Sequence, residues 1–122
     1  MLWTKMIGVG AIFSGLAVAL GAFGAHALKE KLSPYALDVF ETGVKYQMYH
    51  ALAIIAVGLL ASRIDGPAIR VSAYSFMIGI LVFSGSLYTL AFTGTKWLGA
   101  ITPMGGLAFL VGWISLALAC FR

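Results

Sequence analysis

Four long apolar runs alternate with short polar breaks along this chain. The first is Met6 to Ala25, held between Lys5 and His26. The second is Tyr46 to Ser62, stopped by Arg63 and the turn Asp65-Gly66-Pro67. The third is Val71 to Phe92, after Arg70, and the fourth runs from about Thr102 to Phe121, before Arg122. A helix needs about 20 apolar residues to cross roughly 30 Å of hydrocarbon. The pattern therefore predicts four membrane-spanning helices. Thr102-Pro103 reads as an N-cap followed by proline at the first helical position, which starts the fourth helix there. The second run alone is short. Ser33-Pro34 is a similar pair, however, and no strong breaker separates it from Ser62. One long helix from about residue 34 to 62 is predicted, with its first turns in the membrane interface.

Small residues recur inside these runs. Gly10, Ser14, Ala17, Gly21 and Ala25 fall at spacings of 4, 3, 4 and 4. Gly105, Ala108, Gly112, Ser115 and Ala119 fall at 3, 4, 3 and 4, and Ser72, Ser75, Gly79 and Ser86 keep the same period. Lipid supplies no hydrophobic force between helices, so small residues that admit close backbone approach mark the contacts. A period near 3.5 predicts left-handed, close-packed helices. The expected fold is all-α: a single membrane domain over residues 1–122, built as a compact four-transmembrane-helix bundle. The competing account, that Gly and Ala are simply frequent in membrane helices, fits two runs in phase less well.

Composition agrees. The chain is 61% hydrophobic and 10% charged, too few charges to cover a water-exposed surface. The formal charge of +4 comes from scattered lysines and arginines rather than a basic patch, which argues against nucleic acid. Attraction to anionic lipid headgroups accounts for the excess better. Orientation is balanced. Side A, with both chain ends and the second loop, has Lys5, Arg63, Arg70 and Arg122. Side B, with the first and third loops, has Lys29, Lys31, Lys45 and Lys96. The short Arg63–Arg70 segment favours a cytoplasmic side A in a cell membrane. A secretory leader ending at Ala25-His26-Ala27 is the alternative reading of the first run, opposed by the small-residue stripe within it. Cys120 is the only cysteine and reads as a small buried apolar residue.

The polar residues concentrate at side B. His26 ends the first span there. On the long helix, Asp38, Glu41 and Lys45 share one stripe, with Glu41 and Lys45 spaced for an ion pair. Gly43, Gln47 and His50 share the nearly opposite stripe and should face the bundle. His50 is expected about one turn inside the second span. Ser84, Ser86 and Tyr88 approach from the third span and Thr102 from the last loop. His26, Gln47, His50, Ser84, Ser86, Tyr88 and Thr102 thus form a candidate polar cluster. Ionisable groups inside spans are rare and mark candidate sites. The plainer account is a set of helix–helix hydrogen bonds.

No catalytic constellation is recognisable, and no cofactor is implied. His26 and His50 lack a third ligand at fixed spacing, so no metal site is read. Ser84-Gly85-Ser86 lies inside a span, without the strand–turn–helix context of a nucleophile elbow. The segments "GAFGAHALKEKL", "VFETGVKYQMYHALAIIAVGLL", "FSGSLYTLAFTG" and "LGAITPMGGLAFLVGW" carry a resemblance over nearly the whole chain. Through them the chain resembles the family of small bacterial membrane proteins of unknown function that includes YgdD and YwdK, with small eukaryotic transmembrane relatives. Gly24, His26, Gln47, His50, Tyr88, Pro103, Gly106 and Trp113 are among the residues that carry it. The resemblance implies an integral membrane protein of about four helices and no particular reaction. The favoured expectation is a non-enzymatic bundle that binds a membrane lipid, a small ligand or a membrane partner (a second copy included) through side B. The alternatives are an oligomeric transporter of protons or small solutes and a membrane enzyme using His26 and His50.

Overall fold

A computed structural model describes residues 1–121; Arg122, counted above on side A, lies outside the described residues. Four helices are long and apolar enough to span a bilayer: α1 (Leu2–Leu28), α2 (Pro34–Ala61), α3 (Pro67–Thr93) and α4 (Leu98–Phe121). No strand occurs among the described residues. The fold is an all-α, four-helix membrane bundle. The hairpin α1–α2 packs beside the hairpin α3–α4, and α2 and α3 meet in the centre. The main core joins Ile54 and Val57 of α2 to Ile69, Ala73, Phe76 and Ile80 of α3, with Met6 from α1 and Phe109 from α4. A smaller cluster of Leu28, Phe40 and Ala91 closes side B.

The long second helix begins where its cap predicts. Ser33 is extended, its Oγ accepts the Ala36 amide at 3.1 Å, and Pro34 opens the helix. At 1.5 Å per residue its 28 residues reach about 42 Å, which exceeds the hydrocarbon thickness. The surplus at side B carries Asp38, Glu41 and Lys45 on an exposed stripe. Glu41 and Lys45 do not form the anticipated ion pair. Among the described residues the one salt bridge is Arg70–Asp65 on side A.

The fourth helix starts five residues earlier than its proline suggests. The amides of Leu98, Gly99 and Ala100 bond the carbonyls of Thr95, Lys96 and Trp97 at 2.9–3.1 Å, and this tight turn starts the helix. Thr102 is not a cap. Its hydroxyl turns back to the Leu98 carbonyl at 3.3 Å, and Pro103 sits inside the helix. The proline is tolerated because it lies in the second turn, where the carbonyl four residues back belongs to Gly99, next to the helix start.

Most of the small-residue stripes lie where helices touch. Gly10 abuts Ala51 and Ile55 of α2, and a Cβ there would fall 2.7 Å from the Ala51 carbonyl oxygen. Ala17 is buried, while Ser14 and Gly21 are partly buried. The Ser14 Oγ is covered without a hydrogen-bond partner. Gly79 and Gly112 of the α3–α4 pair face the rings of Phe109 and Phe76, and Gly105 lies on the Phe83 backbone. Ala108 and Ser115 are partly buried beside them and Ala119 is buried. Ala25 departs from the stripe and is exposed. A π turn over Gly24–Leu28 rotates the end of α1, so Gly24 meets the Phe40 ring instead. A second π turn, Ile80–Ser84, widens the middle of α3.

Candidate functional site

The polar residues of the spans form bridges between helices. Gln47 is 4% exposed on α2. Its Nε2 donates to the Phe13 carbonyl of α1 at 2.9 Å, and its Oε1 accepts from the Tyr88 hydroxyl of α3 at 2.7 Å. A carbonyl accepts only, so this contact also fixes which way the amide points. One turn back along α2, the Gly43 carbonyl accepts from Ser84 of α3 at 2.7 Å. Gly43 has no side chain because the Tyr88 ring occupies that space; a Cβ would lie 2.7 Å from it. Ser72 donates to the Gly112 carbonyl at 2.8 Å, and Ser86 shares a 2.6 Å hydrogen bond with Thr102, both joining α3 to α4.

His50 completes the set. It is 5% exposed and stacks on Phe109 with ring centroids 3.5 Å apart and 9° between planes. The Trp113 indole N–H donates to its Nε2 at 3.0 Å. Indole is a donor only, so Nε2 must be the acceptor and the proton resides on Nδ1. That Nδ1–H donates to the Tyr46 carbonyl at 2.7 Å. Both ring nitrogens are therefore satisfied, in one tautomer, by a backbone carbonyl and an indole. Neither Gln47 nor a serine takes part.

The bridges place His50 differently from the expectation of a site near side B. Trp113 lies fifteen residues past Leu98 and eight before Phe121, or about 22 Å and 12 Å along α4. Phe13, the partner of Gln47, is also mid-helix in α1. The two polar residues of α2 thus sit near the middle of the bundle. His26 does not join them. It is exposed on the π turn at the end of α1 and makes no hydrogen bond among the described residues. The structure brings together Gln47 with Tyr88, Ser84 with Gly43, and Ser86 with Thr102, and leaves His26 apart from all of them.

Space remains on either side of this network. Between α2 and α4 a groove of about 400 Å³ opens sideways, walled by Tyr46, Tyr49, Phe83, Phe109, Leu110 and Trp113, with Gly106 at its edge and His50 in its floor. The walls are almost wholly apolar, and the rings are in mutual contact: Tyr46 and Phe83 are 4.7 Å apart by centroid and Phe83 and Phe109 5.3 Å. A smaller groove of about 260 Å³ lies between α1 and α3 over Gln47 and Tyr88. Phe76, Phe109 and Trp113 escaped the sequence reading as parts of a site. Their spacing on their own helices is that of ordinary apolar residues, and only the pairing of α4 with α2 and α3 gathers them around His50. Trp113 alone had a signal, an indole N–H that needs a partner in a lipid environment.

Comparison with known proteins gives a consistent result. Residues 20–106 match the family described as "Protein of unknown function (DUF423)". The chain is 46% identical over 115 residues to the UPF0382 membrane protein YwdK of Bacillus subtilis, covering 93% of this chain and 94% of that one. It is 52% identical over 105 residues to a UPF0382 membrane protein of Haemophilus influenzae, covering 86% and 84%. A UPF0382 membrane protein of Staphylococcus aureus, SAB0533, is 45% identical over 116 residues, with 93% of each covered. No solved structure matches the chain.

Proposed function

Since this chain belongs to the UPF0382 membrane proteins, the DUF423 family of unknown function, its role has to be argued from its own site, and we propose that it is a non-enzymatic bundle that holds a membrane lipid chain in the groove between α2 and α4. The observation that carries this reading is the groove itself: about 400 Å³, open to the side and walled by aromatic rings. A lateral opening in a membrane-spanning bundle faces lipid. A chain already dissolved in lipid gains nothing from hydrophobic burial there. Its retention must come from contact with fixed rings, which is what the aromatic wall supplies. Catalysis by the imidazole is a poorer account, because both of its nitrogens are engaged. This reading puts binding at the side of the bundle, whereas the sequence suggested the loops of side B. We place the chain in the cell membrane with side A cytoplasmic, supported by the closeness of Arg63 and Arg70 to the spans they flank.

The test is lipid retention. A Cβ on Gly106 would find only the Phe83 ring, at 3.9 Å, so a leucine side chain there projects into the groove without disturbing the packing. The Gly106→Leu protein, extracted with native lipids and examined by native mass spectrometry, should keep its thermal stability and lose a tightly retained lipid present in the wild type. Equal retention by the two proteins would refute the reading.

A further inference from the structure

A larger cavity than the α2–α4 groove lies elsewhere. A cleft of about 510 Å³ opens at side A between the start of α1 and the α2–α3 turn, lined by Leu2, Trp3, Met6, Ile69, Asp65 and Arg70. Its floor is apolar, and among its side chains Asp65 and Arg70 carry one charge of each sign, with Met1 also in the lining. Arg70 Nη2 donates to Asp65 Oδ1 at 3.2 Å, and the Gly66 amide donates to the same oxygen at 2.8 Å. The turn thereby fixes the carboxylate. Asp65 Oδ2 has no partner among the described residues, and the other N–H groups of Arg70 make no hydrogen bonds there. Both side chains are largely accessible, at 52% and 85% exposed. An ion pair this open contributes little to stability. It does present an ordered cation and anion side by side over an apolar cleft at the membrane surface.

We propose that this cleft binds the headgroup of an aminophospholipid, of the phosphatidylethanolamine class. Its phosphodiester lies on the free N–H groups of Arg70, a planar donor suited to phosphate oxygens. Its primary ammonium donates to Asp65 Oδ2. Its acyl region covers Leu2, Trp3 and Met6, where the Trp3 indole N–H is held by the Met1 sulfur at 3.1 Å. Asp65 is what selects the headgroup. A purely anionic lipid meets the carboxylate as a like charge. A choline headgroup brings a quaternary ammonium that has no N–H to donate. This site is separate from the α2–α4 groove and does not depend on it.

The experiment uses the full chain in nanodiscs containing equal amounts of phosphatidylethanolamine, phosphatidylcholine and phosphatidylglycerol, with bound lipids identified by native mass spectrometry. Wild type should retain the ethanolamine lipid over each of the others by about threefold, the size expected of one exposed charge contact. Asp65→Asn preserves the oxygen that accepts the Gly66 amide, so the turn should fold, while the ethanolamine preference disappears and phosphatidylglycerol gains. Arg70→Gln should reduce retention of all three. Gly106→Leu should leave the headgroup preference unaltered, which separates failure here from failure of the groove. Equal retention of the three lipids by wild type, an undiminished preference in Asp65→Asn, or unchanged retention in Arg70→Gln would each overturn the proposal.

Discussion

Replacing His50 by phenylalanine isolates what its nitrogens do. Phenylalanine keeps a planar ring of similar size, so the 3.5 Å stack on Phe109 survives. What goes is the hydrogen bond to the Trp113 indole and the one to the Tyr46 carbonyl. The Tyr46 bond lies within α2 itself, so only the Trp113 bond joins two helices. Interhelical side-chain hydrogen bonds in membrane proteins average about 0.6 kcal/mol and reach about 1.7. This one is central and geometrically sound, so about 1 kcal/mol is expected. Trp113→Phe should cost a similar amount by leaving Nε2 without a donor. In the double variant neither orphan remains, so the two losses should not add; a coupling of about 1 kcal/mol should appear. Reversible unfolding in bicelles of the wild type, the two single variants and the double variant measures it. His50→Phe combined with Thr93→Ala, at the far end of α3, should be additive and serves as the control. A His50–Trp113 coupling below about 0.3 kcal/mol, the ordinary limit of additivity, would refute the reasoning. It would mean that the indole does not hold the ring and that Nε2 is free in the groove.

Three further outcomes are expected. Gly105→Ala drives a methyl onto the Phe83 backbone, which has no room to yield, and should destabilise by about 1–3 kcal/mol, whereas Gly8→Ala and Gly15→Ala enter open space and should be neutral or stabilising in the same unfolding assay. Tyr88→Phe leaves the buried Gln47 Oε1 without its 2.7 Å donor and should cost about 1 kcal/mol, while Gln47→Leu in the Tyr88→Phe background should recover part of that loss. In a Cys120→Ser background, a cysteine at Thr95 should react with an impermeant maleimide added outside intact cells, and one at Ser62 should react only after permeabilisation; the reverse result would invert the proposed orientation.

Those features set by neighbouring residues were legible in the sequence. Ser33 and Pro34 start α2 because a cap acts within one turn, and the Gly10 and Gly112 stripes mark packing because the period belongs to a single helix. The fourth helix shows where such reasoning misleads. A threonine followed by proline looks the same whether it opens a helix or lies one turn inside it. What decided between them was the turn at Thr95–Ala100, which has no proline or cap to announce it. The bundle-facing stripe of Gly43, Gln47 and His50 was readable from angular spacing alone. Their partners were not, because Phe13, Tyr88 and Trp113 lie 34, 41 and 63 residues away and meet them only after the hairpins pack. Asp65 and Arg70 read as loop charges until the start of α1 was seen to form the opposite wall of a cleft.

The wide turn at Ile80–Ser84 has a consequence for changes in chain length. A π turn is an α-helix that has accommodated one extra residue without altering the register on either side. Elsewhere in a span, losing one residue turns everything beyond it by about 100° and shifts it by about 1.5 Å, carrying buried groups into lipid. Within Ile80–Ser84 the same loss would let the helix close to ordinary α geometry. Ser72 and Phe76 would keep their places below it, as Ser86 and Tyr88 would above it. The middle of α3 is therefore where this protein should tolerate a shorter chain, although every neighbouring turn of that helix is packed against another.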